Sequence, residues 1–177
     1  FITRARKEGI RDFGACMAPM TAFQILQGIE TLSLRMDKHV ANTQAVVEFL
    51  ASHPLVASIS YPGLPEHPDY ELAQKILPKG PGAVFSFVIK GGREAGRTLI
   101  ENLELFSHLA NIGDAKSLVI HPASTTHHRV DPEALAASGI AAGLVRVSVG
   151  LEDPADLIGD LKAALRVVEK KVVTQGS

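Results

Sequence analysis

Leu144-Val145-Arg146-Val147-Ser148-Val149 alternates a valine with another residue along its whole length. A period of two marks a strand whose two faces meet different surroundings. The three valines share one face, while Leu144, Arg146 and Ser148 share the other. Immediately downstream, Asp153-Pro154 supplies an N-cap and a first-turn proline. Leu157, Ile158, Leu161, Ala164, Leu165 and Val168 then recur at helical spacing, and Lys170 and Lys171 suit the negative end of the helix dipole.

Working upstream, Ala83 to Ile89 predicts a second strand, bounded by the turn Pro78-Lys79-Gly80-Pro81-Gly82 and by Gly91-Gly92. Arg93 to Leu103 reads as a helix that buries Ala95, Leu99 and Ile100. Ser117 to His121 is a further strand, Asp131-Pro132 starts a helix reaching about Ser138, Val56 to Tyr61 is a short strand, and Asp69 caps a brief helix through Ile76. Strands and helices alternate too irregularly for a strict βαβ succession. The expectation is an α/β fold with a small, mostly antiparallel sheet, helices on one face and the other face free for a ligand or a second domain.

Pro19 to about Ser52 keeps a helical apolar period through Ala22, Ile25, Leu26, Ile29, Leu32, Met36, Val40, Val47 and Leu50. It predicts one long helix, bent near Gly28 and ended by His53-Pro54, that links two bodies. Ahead of it, Ile2, Ala5, Gly9, Ile10 and Phe13 form an apolar stripe that needs a partner. Because such a stripe stands at a chain start without methionine, the expectation is a piece cut from something longer. The tail Thr174-Gln175-Gly176-Ser177 is expected to be mobile.

Composition bounds the function classes. With 177 residues, 46% hydrophobic and 21% charged, and a mean hydropathy of +0.14, the chain can bury a core, which excludes intrinsic disorder. Eighteen basic against nineteen acidic side chains, a formal charge of −1, leave no field to hold nucleic acid or an anionic membrane. No apolar run approaches the ~20 residues of a membrane span, and no signal peptide is visible, so a soluble cytoplasmic protein is expected. The lone Cys16, between Ala15 and Met17, reads as a small buried hydrophobe in a reducing compartment.

Polar residues set against the pattern locate candidate chemistry. Arg146 projects from mid-strand with five donors to satisfy, so it meets a carboxylate, belonging either to the protein or to a ligand. The ligand reading is the sharper one, because a planar guanidinium holds a small carboxylate by two parallel hydrogen bonds. His121, His127 and His128 match no metal-ligand spacing, so no metal is expected. No nucleophile elbow supports a Ser-His-Asp triad, and the glycines of 80–82 and 91–92 read as turns.

Four segments together are specific. Phe13-Gly14-Ala15 through Leu26-Gln27-Gly28-Ile29-Glu30-Thr31-Leu32-Ser33-Leu34-Arg35-Met36, with His39 and Asn42, resembles the interdomain helix of the Cys/Met-metabolism family of pyridoxal-phosphate enzymes, as Tyr61-Pro62-Gly63-Leu64 with His67-Pro68 resembles its next landmark. Leu109-Ala110-Asn111-Ile112-Gly113-Asp114-Ala115-Lys116-Ser117-Leu118 through His127 is similar to the O-acetylhomoserine sulfhydrylase branch, and Val145 to Asp153 completes the match.

The resemblance implies the C-terminal small domain of the aspartate-aminotransferase-like architecture, pyridoxal-phosphate fold type I. Residues 1–18 would end the large domain, 19–53 form the interdomain helix, 54–172 the C-terminal α/β domain and 173–177 a tail. It implies that Arg146 binds the substrate α-carboxylate, that Ser117 helps through its backbone or hydroxyl, and that Thr126 walls the pocket near the distal end of the substrate. The Schiff-base lysine and the residues that hold pyridoxal phosphate belong to the large domain; Lys116 lacks their flanking pattern. The implied reaction of the parent is γ-replacement, O-acetyl-L-homoserine and sulfide giving L-homocysteine and acetate in methionine biosynthesis, with a homotetrameric parent and a fragment inactive alone. O-succinylhomoserine sulfhydrylase, cystathionine γ-synthase and γ-lyase parents, or an autonomous amino-acid-binding domain, are the alternatives.

Overall fold

The structure, a computed structural model, describes residues 1–175 and, of their side chains, all but those of Pro132 and residues 172–175. Two compact units are present, Phe1–Arg35 and Met36–Ser177.

The first unit opens with α1 (Ile2–Arg4), which passes into a π-helical stretch Ala5–Asp12. α2 (Pro19–Glu30) follows, and α3 (Leu32–Ala51) begins within this unit and continues into the next. The single long helix expected over Pro19–Ser52 is therefore two helices, and the break lies at Thr31 rather than at Gly28. Thr31 leaves the helical region at φ −101° and ψ 4°, while Arg35 donates its guanidinium N–H to the Gly28 carbonyl freed by the break. A β-branched residue with poor helix propensity tolerates that interruption cheaply. Phe1, Ile10, Phe13, Met20, Phe23, Leu26 and Ile29 are all exposed, so within the described residues the apolar stripe of this unit has no cover. Cys16 is exposed too, which corrects the expectation of a buried thiol: it lies between elements in a unit that buries no side chain.

The second unit carries β1 (Val56–Ser60), α4 (Tyr70–Ile76), β2 (Val84–Ile89), α5 (Gly92–Glu101), β3 (Ser107–His108), β4 (Leu118–Ile120), α6 (Pro132–Ala137), β5 (Leu144–Ser148) and α7 (Pro154–Gln175). Among the described residues, five strands form one sheet in the order β1-β2-β5-β4-β3. Its pairs are antiparallel except β3 with β4, which run parallel. The sequence reading lacked β3, since two residues carry no period. α7 runs through Gln175, so the expected tail begins later than residue 173, and Gly176 and Ser177 lie outside the described residues. Asp131 and Asp153 cap their helices as expected, accepting the amides of Glu133 and Ala134 and of Ala155. Asp69 makes no side-chain cap; its own amide donates to the His67 ring instead.

One face of the sheet makes the core. Phe85, Phe87, Ile89, Val145, Val147, Val149 and Val119 pack with Val46, Val47 and Leu50 of α3, Leu99 and Ile100 of α5, and Leu157, Leu161, Leu165 and Val168 of α7. Each large apolar side chain so buried contributes about 1.5–3 kcal/mol, enough to force the β5 valines inward and their neighbours outward. Loops are tied to this core by polar groups. The Asp160 carboxylate accepts the amides of Glu104, Leu105 and Phe106. The Tyr61 hydroxyl donates to the Gly82 carbonyl, and burial pushes its pKa up to about 12.

His121 sits wholly buried, donating from Nε2 to the Ala142 carbonyl at 2.8 Å while Nδ1 meets the Ser124 hydroxyl at 2.8 Å. Gly96 makes room for it, because a Cβ there would lie 2.5 Å from the ring. Burial holds the His121 pKa below the usual histidine value of 6.5. Protonation thus favours the unfolded chain: the stabilisation is complete above the unfolded pKa and is lost as pH falls from there toward the depressed folded pKa. The melting temperature of this chain should drop on acidification from pH 7, and the slope should be shallower in His121→Gln. An equal slope in both would show that other groups set the acid sensitivity.

Candidate functional site

β5 positions Arg146, and the strand register decides what surrounds it. Arg146 is paired with Ser86 on β2 and with Ile120 on β4. Residues directly opposite in antiparallel strands point to the same face, so Arg146, Ser86 and Ile120 stand on the face turned away from the core. All three are half-buried. Among the described residues the Arg146 guanidinium makes no hydrogen bond and no ion pair. Of the two carboxylates open at the sequence level, the protein's own is therefore absent here.

Ser117, immediately before β4, is completely buried. Its amide donates to Glu152 Oε1 at 2.7 Å, and its hydroxyl donates to Glu152 Oε2 at 2.9 Å. The same hydroxyl accepts the Gly150 amide at 2.8 Å, and the Ser117 carbonyl accepts the Ser107 amide at 2.9 Å. No donor of Ser117 is left over for a ligand, which corrects the expectation of a direct contact. Ser117 and Glu152 instead clamp the chain where it leaves β5. Glu152 was not singled out from the sequence, because nothing in its local pattern shows that it reaches back to residue 117.

The same exit is held from α3. His39 donates from Nδ1 to the Val149 carbonyl at 2.7 Å, and Asn42 donates to the carbonyls of Gly150 and Glu152 at 3.0 and 2.8 Å. His39 is buried and its Nε2 has no hydrogen-bond partner. Thr126 lies exposed in the turn that follows β4 and the short helical turn Pro122–Ser124, with its hydroxyl 2.9 Å from His127 Nδ1. It is not joined to Arg146 by a hydrogen bond. A separate cleft of ≈ 570 Å³ lies among Arg93, Glu94, Arg97, His108, Ser124 and Thr125, and Arg146 is not in its walls.

The model of the Cys/Met metabolism PLP-dependent enzyme family matches residues 2–166. The chain belongs to that family. Over 165 residues it is 50% identical to O-acetyl-L-homoserine sulfhydrylase 1 of Thermus thermophilus, covering 93% of this chain and 39% of the relative. Over 166 residues it is 51% identical to L-methionine gamma-lyase of Treponema denticola, covering 93% and 41%. A solved structure described as an O-acetylhomoserine (thiol)-lyase from Campylobacter jejuni superposes with a TM-score of 0.82 at 41% identity, covering 93% of this chain and 39% of that one, and it holds an N'-pyridoxyl-lysine-5'-monophosphate. The chain thus spans about two-fifths of the length of these relatives, and the mostly antiparallel α/β unit with helices on one face is part of their fold.

The family depends on pyridoxal phosphate, whose aldehyde must be held on a lysine. This chain does not offer one. All nine lysines, Lys116 included, are exposed, whereas a lysine that forms a Schiff base is kept enclosed and desolvated to depress its pKa. The residues present therefore do not fit the cofactor, and no chemical step is assigned to this chain. What the geometry can do is bind: an unpaired guanidinium, seated on a rigid strand, can take a carboxylate by a bidentate pair and fix its orientation.

Proposed function

We propose that this chain is the substrate-carboxylate-binding C-terminal portion of an enzyme that converts O-acetyl-L-homoserine and sulfide to L-homocysteine and acetate, acting in the cytoplasm as a homotetramer. The observation that carries the reading is that half-buried Arg146, on the face of the sheet turned away from the core, has a guanidinium with no partner among the described residues. A guanidinium offers five N–H donors in a planar fork, and a ligand carboxylate accepts two of them in parallel hydrogen bonds. Leu109 to His127 supports the sulfhydrylase assignment, since this segment resembles that branch. The large domain would supply the cofactor, and this portion would fix the substrate relative to it.

Identity of 51% to a methionine γ-lyase supports a second reading, elimination from L-methionine. The two differ in what reaches the γ-carbon after the leaving group departs. In the full-length protein, O-acetyl-L-homoserine with sulfide should yield homocysteine and acetate, while L-methionine alone should release little methanethiol. Efficient methanethiol release without homocysteine synthesis would replace the first reading by the second.

A further inference from the structure

The open face of the sheet carries a polar row that the alternation of any one strand does not reveal. Ser60 stands opposite Ser86, Ser86 opposite Arg146, and Arg146 opposite Ile120, so the row crosses β1, β2, β5 and β4 on the side away from the core. Ser60 is exposed, with its hydroxyl 3.4 Å from His67 Nε2. Ser86 is half-buried, and among the described residues its hydroxyl makes no hydrogen bond. Arg146 is half-buried and has no polar partner among the described residues. Directly opposed Cβ atoms are about 5 Å apart. Directly opposed positions of adjacent strands therefore carry an idle hydroxyl and an idle guanidinium.

We propose that Ser86 is a second contact for the carboxylate that Arg146 holds, its hydroxyl donating to one carboxylate oxygen while the guanidinium forks onto the group. The inference rests on the reading of Arg146 as the carboxylate anchor. Two donors from adjacent strands define the rotation of the carboxylate about its own axis, which a single fork leaves softer. That rotation sets how the rest of the amino acid is presented. Ser86 thereby acts on orientation and affinity and moves no proton of the reaction.

The test uses the full-length protein that contains this chain. Ser86→Ala should raise KM for the amino-acid substrate about 10-fold, the effect of one hydrogen bond to a charged group, with kcat within about twofold. Ser86→Thr keeps the hydroxyl on a residue that strands favour and should restore most of the affinity. Ser58→Ala, on the same face one row away, should leave KM unchanged. In the double variant Ser86→Ala/Arg146→Lys, KM should rise by less than the product of the two single effects, because both residues grip one carboxylate. An unchanged KM in Ser86→Ala beside a large rise in Arg146→Ala would overturn the role of Ser86 and leave Arg146 in place. Strict multiplicativity, no rescue by threonine, or a rise in Ser58→Ala would equally overturn it. No effect in Arg146→Ala would instead remove the anchor on which it depends.

Discussion

Arg146→Ala in the full-length protein is expected to raise KM for the amino-acid substrate by about 10²- to 10³-fold, the equivalent of losing two charge-assisted hydrogen bonds at ~1.5–2 kcal/mol each. Stability should hardly change. The guanidinium pairs with nothing among the described residues, so its removal breaks no hydrogen bond or ion pair of the fold. Arg146→Lys separates charge from geometry: the ammonium keeps the attraction and loses the fork, so about a tenth of the affinity or less should remain. A substrate analogue in which a carboxamide replaces the carboxylate should bind the wild-type protein weakly and lose little further in Arg146→Ala. KM values that match the wild type within twofold would remove Arg146 from the site, whatever the family of the chain.

Gly150→Ala is expected to be the most damaging single methyl in this chain. A Cβ at residue 150 would lie 2.4 Å from the Ala115 carbonyl oxygen and 2.4 Å from Glu152 Oε2, and 2.5 Å from the Lys116 carbonyl carbon. Two of these atoms are backbone and the third accepts from Ser117, so none can swing aside without breaking the clamp. Overpacking of this kind costs about 3 kcal/mol or more, and it displaces the chain just past the end of β5, four residues beyond Arg146. The urea midpoint of this chain should fall accordingly, and carboxylate affinity in the full-length protein should fall with it. Gly159→Ala is the control: nothing lies within 4 Å of a Cβ there, and α7 should gain about 0.5–1 kcal/mol from the loss of a helical glycine. If Gly150→Ala melts with the wild type, the close packing of the β5 exit is not what holds it.

Much of the scaffold is legible because its signals are local. Val84–Ile89 and Leu144–Ser148 carry the period of two over enough residues to declare themselves, as α7 carries the helical period over its buried stripe. β3 is illegible for the opposite reason: Ser107–His108 is a strand only because Leu118 and Val119 pair with it. The break at Thr31 was placed at the glycine, because propensity ranks Gly28 the weaker residue and gives no weight to the Arg35 guanidinium that satisfies the Gly28 carbonyl. Ser117 was assigned to the ligand by resemblance, and only the position of Glu152 reveals that its amide and hydroxyl are already used.

Alone, the amino-acid sequence determined that a valine-faced strand would be buried on one side and would raise Arg146 from the other, since alternation and hydrophobic burial act over a few consecutive residues. Only the tertiary structure decided that no acidic side chain among the described residues pairs with that guanidinium, that Ser86 stands opposite Arg146 on the neighbouring strand and that Glu152 is committed to Ser117. Those pairings join residues 60 and 35 positions apart, set by strand order and register, to which the local chemistry of neither partner is sensitive.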